Sequence, residues 1–271
     1  MKTRLDAELV RRELARSREH AADLIESRSV LVGGIPATKP ATQVDAETSI
    51  TIQGDRDDFV SRGGHKLAGA LDAFTGVAVE GKTCLDAGAS TGGFTDVLLR
   101  RGADCVVAAD VGYGQLAWEI QQNPKVVILD RTNIRHLTGE QVGEDIDLVV
   151  ADLSFISLRL VLPELPRFFL AEAEGVVLVK PQFELQPGQI GKGGIVRDAV
   201  HFEFVEKRLR DCCAELGLEV SAWLDSPIEG GDGNREFFIQ ARKGLQALDE
   251  NKPLPVAPAR QAAKRVPRSA T

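Results

Sequence analysis

The sequence predicts an α/β fold: a doubly wound, Rossmann-like sheet preceded by a small α+β unit. Three observations carry this. From residue 83 onward, short β-branched runs alternate with helical stretches, the pattern made by parallel strands joined through crossover helices. The run GVVLVKP (175–181) is apolar at four of its first five positions, which a strand covered on both faces requires. The first strand of the series runs straight into a glycine-rich turn and a helix start, LDAGASTGGFTDVLL.

In chain order, RLDAELVRREL places Leu5, Leu9, Val10 and Leu14 at helical spacing. Ser17 is the N-cap of a second helix, REHAADLIESR, whose buried stripe is Ala21, Leu24 and Ile25. SVLVGGIPATKP reads as a hairpin turning at Gly33-Gly34, and SITIQG as a closing strand. GDRDDFVSRGGHK is glycine-rich and charged, the texture of a linker. The strands that follow are TCLDAGA (83–89), DCVVAADV (104–111), KVVILD (125–130), IDLVVADL (146–153) and GVVLVKP (175–181). TGGFTDVLLRRG, SLRLVLPELPRFFL and AVHFEFVEKRLRDCCAELG are the helical segments, and LEVSAWLDSP and REFFIQARK close the sheet. These boundaries divide the chain into 1–59, a lead-in over 60–82, a sheet domain over 83–244, and a Pro-, Ala- and Arg-rich tail, 245–271, expected to be disordered.

Composition narrows the function. No apolar run approaches the roughly 20 residues of a spanning helix, and the N-terminus lacks the apolar core of a signal peptide. Four cysteines without C-x-x-C spacing suggest neither a disulfide framework nor a metal site, and the expected compartment is the cytoplasm. The net charge of −7 is unevenly spread. Residues 1–66 carry 11 basic and 11 acidic side chains, residues 67–251 carry 17 and 29, and the last 20 carry 5 and none. A locally basic patch for a polyanion is therefore compatible with an acidic body.

The turn GASTGGF lets backbone approach a ligand at a helix N-terminus. It lacks the Lys-Ser/Thr of a phosphate loop and the G-x-G-x-x-G of a dinucleotide site. A D-x-G-x-x-x-G-G turn instead suits S-adenosylmethionine. The candidate cofactor residues are Asp86, Gly88, Ser90, Thr91, Gly92, Gly93 and Phe94, with Asp110 for the ribose and Asp130 and Asn133 near the adenine. Asp152 ends a fourth strand at the same edge. One such carboxylate is an ordinary solvated turn residue; four at the ligand-binding edge of a doubly wound sheet favour the cofactor.

The segment from Arg4 to Val44 resembles the small RNA-binding domain of ribosomal small-subunit protein four, pseudouridine synthases and tyrosyl-tRNA synthetases. It shares the R-L-D opening, an S-R-x-x-A-x-x-L-I helix and a V-x-V-x-G-x-x-x-x-K-P hairpin. The remainder looks like an FtsJ-type ribose methyltransferase. With FVSRGGHKL, DVGYGQLAWEI, DRTNIRHL, ADLSFISL, LVKPQFE, GKGGIVRD and SPIEGGDGNREF, the chain up to about residue 244 is similar to the TlyA or hemolysin A family. That resemblance implies a class I methyltransferase sheet whose last two strands pair antiparallel at one edge. It also implies S-adenosylmethionine-dependent 2′-O-methylation of cytidine in ribosomal RNA, acting on ribosomal subunits with no membrane and no stable protein partner. The family's Lys-Asp-Lys-Glu tetrad falls on Lys66, Asp152, Lys180 and Glu236. One departure is GASTGGF, where many relatives carry proline before the double glycine.

A ribose hydroxyl must lose its proton as it attacks a methyl group, and a lysine serves as base only when its pKa falls far below about 10.4. Burial at a strand end favours Lys180 for that role, with Lys66 as a second cation and the two acids orienting both. Amine-methylating relatives of this fold carry an N/D-P-P-Y/F motif where this chain has ADLSF, so base methylation fits less well. For RNA, Arg4, Arg11, Arg18, Arg28 and Lys39, with Arg12 and Arg16 between them, suggest a phosphate strip, and Arg62 and His65 add to it. A solvated helix face interleaved with acids is the plainer reading of the same charges, and the resemblance tips the balance toward RNA.

Overall fold

A computed structural model of the chain describes residues 2–243 apart from 13, 16, 27, 46, 53–58, 144, 145, 167 and 168, and the backbone alone of 169–172. Arg16 and the 245–271 tail lie outside the described residues. The chain divides into two compact units, Met1–Asp58 and Phe59–Thr271.

The smaller unit runs β1 (Thr3–Arg4), α1 (Leu5–Arg11), α2 (Arg18–Glu26), β2 (Val30–Val32), β3 (Ile35–Pro36), β4 (Gln43–Val44) and β5 (Ile50–Ile52). β2 pairs antiparallel with both β3 and β5, and β1 with β4. Gly33 and Gly34 both have positive φ, 59° and 82°, the two-residue turn that matches strand twist. Ser17 Oγ accepts the His20 backbone N–H at 3.1 Å, capping α2. Leu5, Leu9, Ala21, Ile25 and Val30 are wholly buried in one core.

The larger unit contains α3 (Gly63–Ala73), β6 (Thr83–Ala87), α4 (Gly93–Arg100), β7 (Cys105–Ala109), α5 (Trp118–Gln121), β8 (Val126–Leu129), α6 (Gly139–Val142) and β9 (Ile146–Ala151). These are followed by β10 (Phe169–Val179), α7 (Ala199–Glu215), β11 (Leu218–Asp225) and β12 (Phe237–Lys243). One seven-stranded sheet has the order β11-β12-β10-β9-β6-β7-β8. The five strands from β10 to β8 are parallel. The alternation along β10 shows why the sheet is apolar on both faces: Val177 and Val179 enter one core, Val176 and Leu178 the other.

Two expectations are corrected and a third is met. The linker texture ends early: residues 60–82 belong to the larger unit, and Gly63–Ala73 is an eleven-residue helix. Its Leu67, Ala70, Leu71 and Phe74 form a buried stripe against Phe94, Val97 and Leu98 of α4, which overrides two glycines in its first turn. SLRLVLPELPRFFL is not an α-helix. Pro163 and Pro166 remove ladder donors, leaving short 3₁₀ turns at Leu158–Leu160 and Leu162–Glu164 before β10 begins at Phe169. The last two strands pair antiparallel at one end of the sheet, as expected, with β12 between β10 and the outermost strand β11.

Candidate active site

The sheet brings three chain segments to one edge. β9 and β10 are parallel and in register at Ala151 and Val177, so the residues that follow them, Asp152 and Lys180, emerge side by side. β12 runs the opposite way and pairs Phe237 with Val179, so the residue before it, Glu236, starts where the parallel strands finish. Lys66 arrives from α3.

These four side chains form two ion pairs. Lys66 Nζ lies 2.5 Å from Glu236 Oε2, and both residues are buried, 6% and 3% exposed. Lys180 Nζ lies 2.5 Å from Asp152 Oδ1 and donates to Ser154 Oγ at 2.8 Å. Each lysine thus faces its own carboxylate. Lys66 compensates Glu236 rather than standing as a lone cation beside Lys180.

Two cavities open at this edge and share Lys66 and Gly231 in their walls. One, of about 370 Å³, is lined by Lys66, Lys180 and Glu236 together with Ser154, Phe155 and Asn234. The other, of about 240 Å³, is lined by Ser61, Arg62, Lys66 and Asp152 and by the glycine turn from Gly88 to Thr91 with Gly93 and Phe94. The turn is held by close backbone approach. A Cβ on Gly88, where φ is +87°, would stand 2.4 Å from the Asp152 carbonyl oxygen, and one on Gly93 would stand 2.2 Å from Ser61 Oγ. Gly92, at φ +94°, is the left-handed N-cap of α4. Behind the turn Asp86 is fully buried. Its Oδ2 accepts from Thr95 Oγ1 at 2.7 Å and its Oδ1 has no partner, so burial pushes the carboxyl up to about 7 against the Thr95 hydrogen bond.

Comparison with known proteins agrees with this geometry. The profile of FtsJ-like methyltransferases matches residues 59–243, and that of the S4 domain matches residues 3–50. The chain belongs to the FtsJ-like methyltransferase family. It is 54% identical over 248 residues to the 16S/23S rRNA (cytidine-2′-O)-methyltransferase TlyA of Mycobacterium tuberculosis, covering 89% of this chain and 90% of that protein. It is 36% identical to Hemolysin A of Brachyspira hyodysenteriae, covering 87% and 98%. A solved structure from Streptococcus thermophilus, provisionally named a hemolysin, superposes with a TM-score of 0.71 at 37% identity, over 90% of this chain and 89% of that one.

In this methyltransferase the remaining sequence-selected residues have distinct surroundings. Asp110 braces the glycine turn: its two oxygens accept the Ser90 and Gly112 backbone N–H groups at 2.8 and 2.7 Å. Asp130 accepts from Gly114 N–H at 2.9 Å, and Asn133 caps a 3₁₀ turn through Arg135 N–H. None of these three lines either cavity. Arg62 lines the smaller cavity and donates to the Glu229 carbonyl at 2.7 Å, while His65 packs edge-on to Phe59.

The S4 domain of the methyltransferase places four of its arginines on two buried acids. Asp6 accepts from Arg4 and Arg18, and Glu8 from Arg11 and Arg12, all at 2.6–3.1 Å. The Arg4 hydrogen bond, helped by Arg18, holds Asp6 far below the carboxylate range, and Arg11 and Arg12 bring Glu8 down to about 2. Arg28, at φ +60°, and Lys39 are exposed.

Sequence reasoning missed Ser61, Ser154 and Phe155. Ser61 lay in the stretch read as a linker. Ser154 stands two residues beyond Asp152, and that adjacency was its only signal. Phe155 has none, because an aromatic in an apolar run reads as core. It is instead 91% exposed with φ +62°.

Proposed function

We propose that this methyltransferase methylates the 2′-hydroxyl of a cytidine in ribosomal RNA, using S-adenosylmethionine and acting on ribosomal subunits in the cytoplasm. One observation carries the reading: the glycine turn and the two lysine–carboxylate pairs border adjoining cavities that share Lys66. The activity for which the Mycobacterium tuberculosis relative is named supplies the substrate class.

The turn suits the cofactor on its own evidence. A Cβ on Gly88 or Gly93 would collide with Asp152 or Ser61, which share the wall of the smaller cavity, so glycine lets the turn backbone close on that space. The unpartnered Asp86 oxygen supports a cationic amino acid end. Asp86, Ser90, Thr91 and Phe94 with Asp152 would hold that end, and Asp110, Asp130 and Asn133 the nucleoside end. When bound, the cofactor supplies an electrophilic methyl group on a sulfonium.

The target ribose enters the larger cavity beside Lys180 and Lys66. Once the Lys180 ammonium has released its own proton to solvent, its amine takes the hydroxyl proton, which restores the ammonium that Asp152 and Ser154 hold in the resting site. Glu236 neutralises Lys66 in a buried setting where an isolated charge would be costly. Phe155 and Phe183, with ring centroids 5.2 Å apart on the same wall, offer a face to an unstacked base. In the S4 domain, Arg4, Arg11 and Arg18 arrive preoriented for phosphates, with Arg28 and Lys39 exposed beside the same elements.

The test incubates the protein with methyl-labelled cofactor and ribosomal subunits that lack the modification, then maps the label by blocked alkaline cleavage. Label at a cytidine 2′-oxygen is the expected result. Label on a base nitrogen or carbon refutes the ribose assignment. A pH–rate profile for single-turnover methylation with no limb dependent on Lys180 refutes its role as proton acceptor.

A further inference from the structure

We propose that Glu184 is a positioning residue for methyl transfer: its carboxylate locks the loop after β9 to the loop after β10, and so sets where Lys180 stands relative to Ser154 and Phe155. The inference rests on the function proposed above.

Glu184 is 4% exposed. Its Oε2 accepts from Ser157 Oγ and its Oε1 from the Leu158 backbone N–H, each at 2.6 Å. Its own N–H closes the turn from Pro181 at 3.0 Å, immediately after Lys180, and its carbonyl accepts from Arg208 Nη1 on α7 at 3.1 Å. One residue therefore ties the Lys180 loop, the Asp152 loop and a helix together.

The span from Asp152 to Leu158 is held at both ends. At the start, Asp152 N–H donates to Ala87 O at 3.0 Å; at the end sit the two Glu184 bonds. Between them Phe155 adopts φ +62°, a conformation that a non-glycine residue keeps only when its surroundings over-determine it. Ser154 in the same span meets Lys180 at 2.8 Å. Ser157 Oγ accepts from Arg159 N–H at the start of the 3₁₀ turn, so Glu184 serves the other terminal donor, Leu158 N–H, and does so from the opposite loop. A carboxylate in this place also carries a desolvation cost, which raises its pKa against the two hydrogen bonds. What that cost is set against is a cross-link between two strand-end loops that share no strand hydrogen bonds of their own.

The experiment compares Glu184→Ala, Glu184→Gln and Ser157→Ala with the wild-type chain. It measures kcat and KM for methylation of ribosomal subunits, and the affinity for S-adenosylhomocysteine by calorimetry. Loosening the target wall should lower kcat on the order of 10²-fold in Glu184→Ala, as misplacement of about 1 Å does, with cofactor affinity within about twofold of wild type. Gln keeps an acceptor for Leu158 N–H and can donate to Ser157 Oγ, so Glu184→Gln should regain most of the lost kcat. Ser157→Ala, which removes one arm, should fall between. Wild-type kcat in Glu184→Ala overturns the inference. So does Glu184→Gln as impaired as Glu184→Ala, or a loss of cofactor affinity that parallels the loss of kcat. A wild-type enzyme that labels no cytidine ribose overturns the functional reading itself, and the inference with it.

Discussion

Replacing Glu236 with Gln should destabilise the larger unit substantially while changing its shape by one atom. Lys66 and Glu236 are nearly inaccessible to water and 2.5 Å apart. At an effective dielectric of about 20, charges at that distance attract by about 7 kcal/mol, which offsets a desolvation cost of several kcal/mol for each ion. Removing one charge keeps the cost and forfeits the attraction. The expected loss is about 3–5 kcal/mol, and at about 2–4 °C per kcal/mol for a unit of this size, Tm should fall by about 10 °C. Lys66→Met should cost a similar amount. The double variant Lys66→Met/Glu236→Gln should recover most of the loss, since no buried charge is left unpaired, yet remain catalytically silent. Differential scanning calorimetry of the four proteins checks the cycle. A Glu236→Gln protein within about 2 °C of wild type, or a double variant no more stable than the worse single, would refute this account of the pair.

Three further outcomes follow, two from the larger unit and one from the smaller. The Asp86 carboxyl is raised from 3.8 to about 7, so the folded state holds a proton that the unfolded chain has lost. Stability should therefore fall as pH rises between those values, and Asp86→Asn should flatten the slope of Tm against pH; an unchanged slope contradicts the assignment. Gly93→Ala puts a Cβ 2.2 Å from Ser61 Oγ, whereas a Cβ on Gly76 meets nothing within 4 Å. Calorimetry should show S-adenosylhomocysteine affinity reduced about tenfold or more, about 1.4 kcal/mol, in the first and unchanged in the second. Asp6 has the opposite sign to Asp86: its folded pKa is depressed by Arg4 and Arg18, so its contribution is present above about pH 4 and lost on further acidification. Hydrogen exchange of α1 amides should accelerate as pH falls through that range after correction for intrinsic rates, and Asp6→Asn should bring the faster exchange to pH 6; identical protection in the two proteins would exclude the carboxylate as the anchor.

Much of this molecule was legible in its sequence, and the omissions have physical causes. Parallel strands read cleanly because β10 must be apolar on both faces, and the Gly33-Gly34 turn because two consecutive left-handed residues call for glycine. The Lys66 helix was misread because local composition, two glycines and charged neighbours, opposed a tertiary contact, the buried stripe of Leu67, Ala70, Leu71 and Phe74 on α4. The 157–170 segment failed the other way: its apolar spacing was helical, but Pro163 and Pro166 decided the backbone. At the site, charged residues at strand ends stood out because charge is rare there. Their pairing did not, because Lys66 with Glu236 and Lys180 with Asp152 is set by sheet register and by the antiparallel insertion of β12, which no local pattern encodes. Phe155 and Glu184 were invisible for a related reason. An exposed aromatic and a buried acid are each unremarkable as letters, and only their surroundings set them apart.

The central claim is that Lys180, held by Asp152 and Ser154 beside the cofactor turn, activates a cytidine 2′-hydroxyl. The measurement that tests it most directly is nucleoside mass spectrometry of ribosomal RNA after single-turnover reaction with wild-type protein and with Lys180→Met. The account predicts stoichiometric 2′-O-methylcytidine with the wild type. Lys180→Met should give almost none, while still binding S-adenosylhomocysteine with normal affinity. A base-methylated nucleoside, or equal yields of 2′-O-methylcytidine from the two proteins, would contradict it.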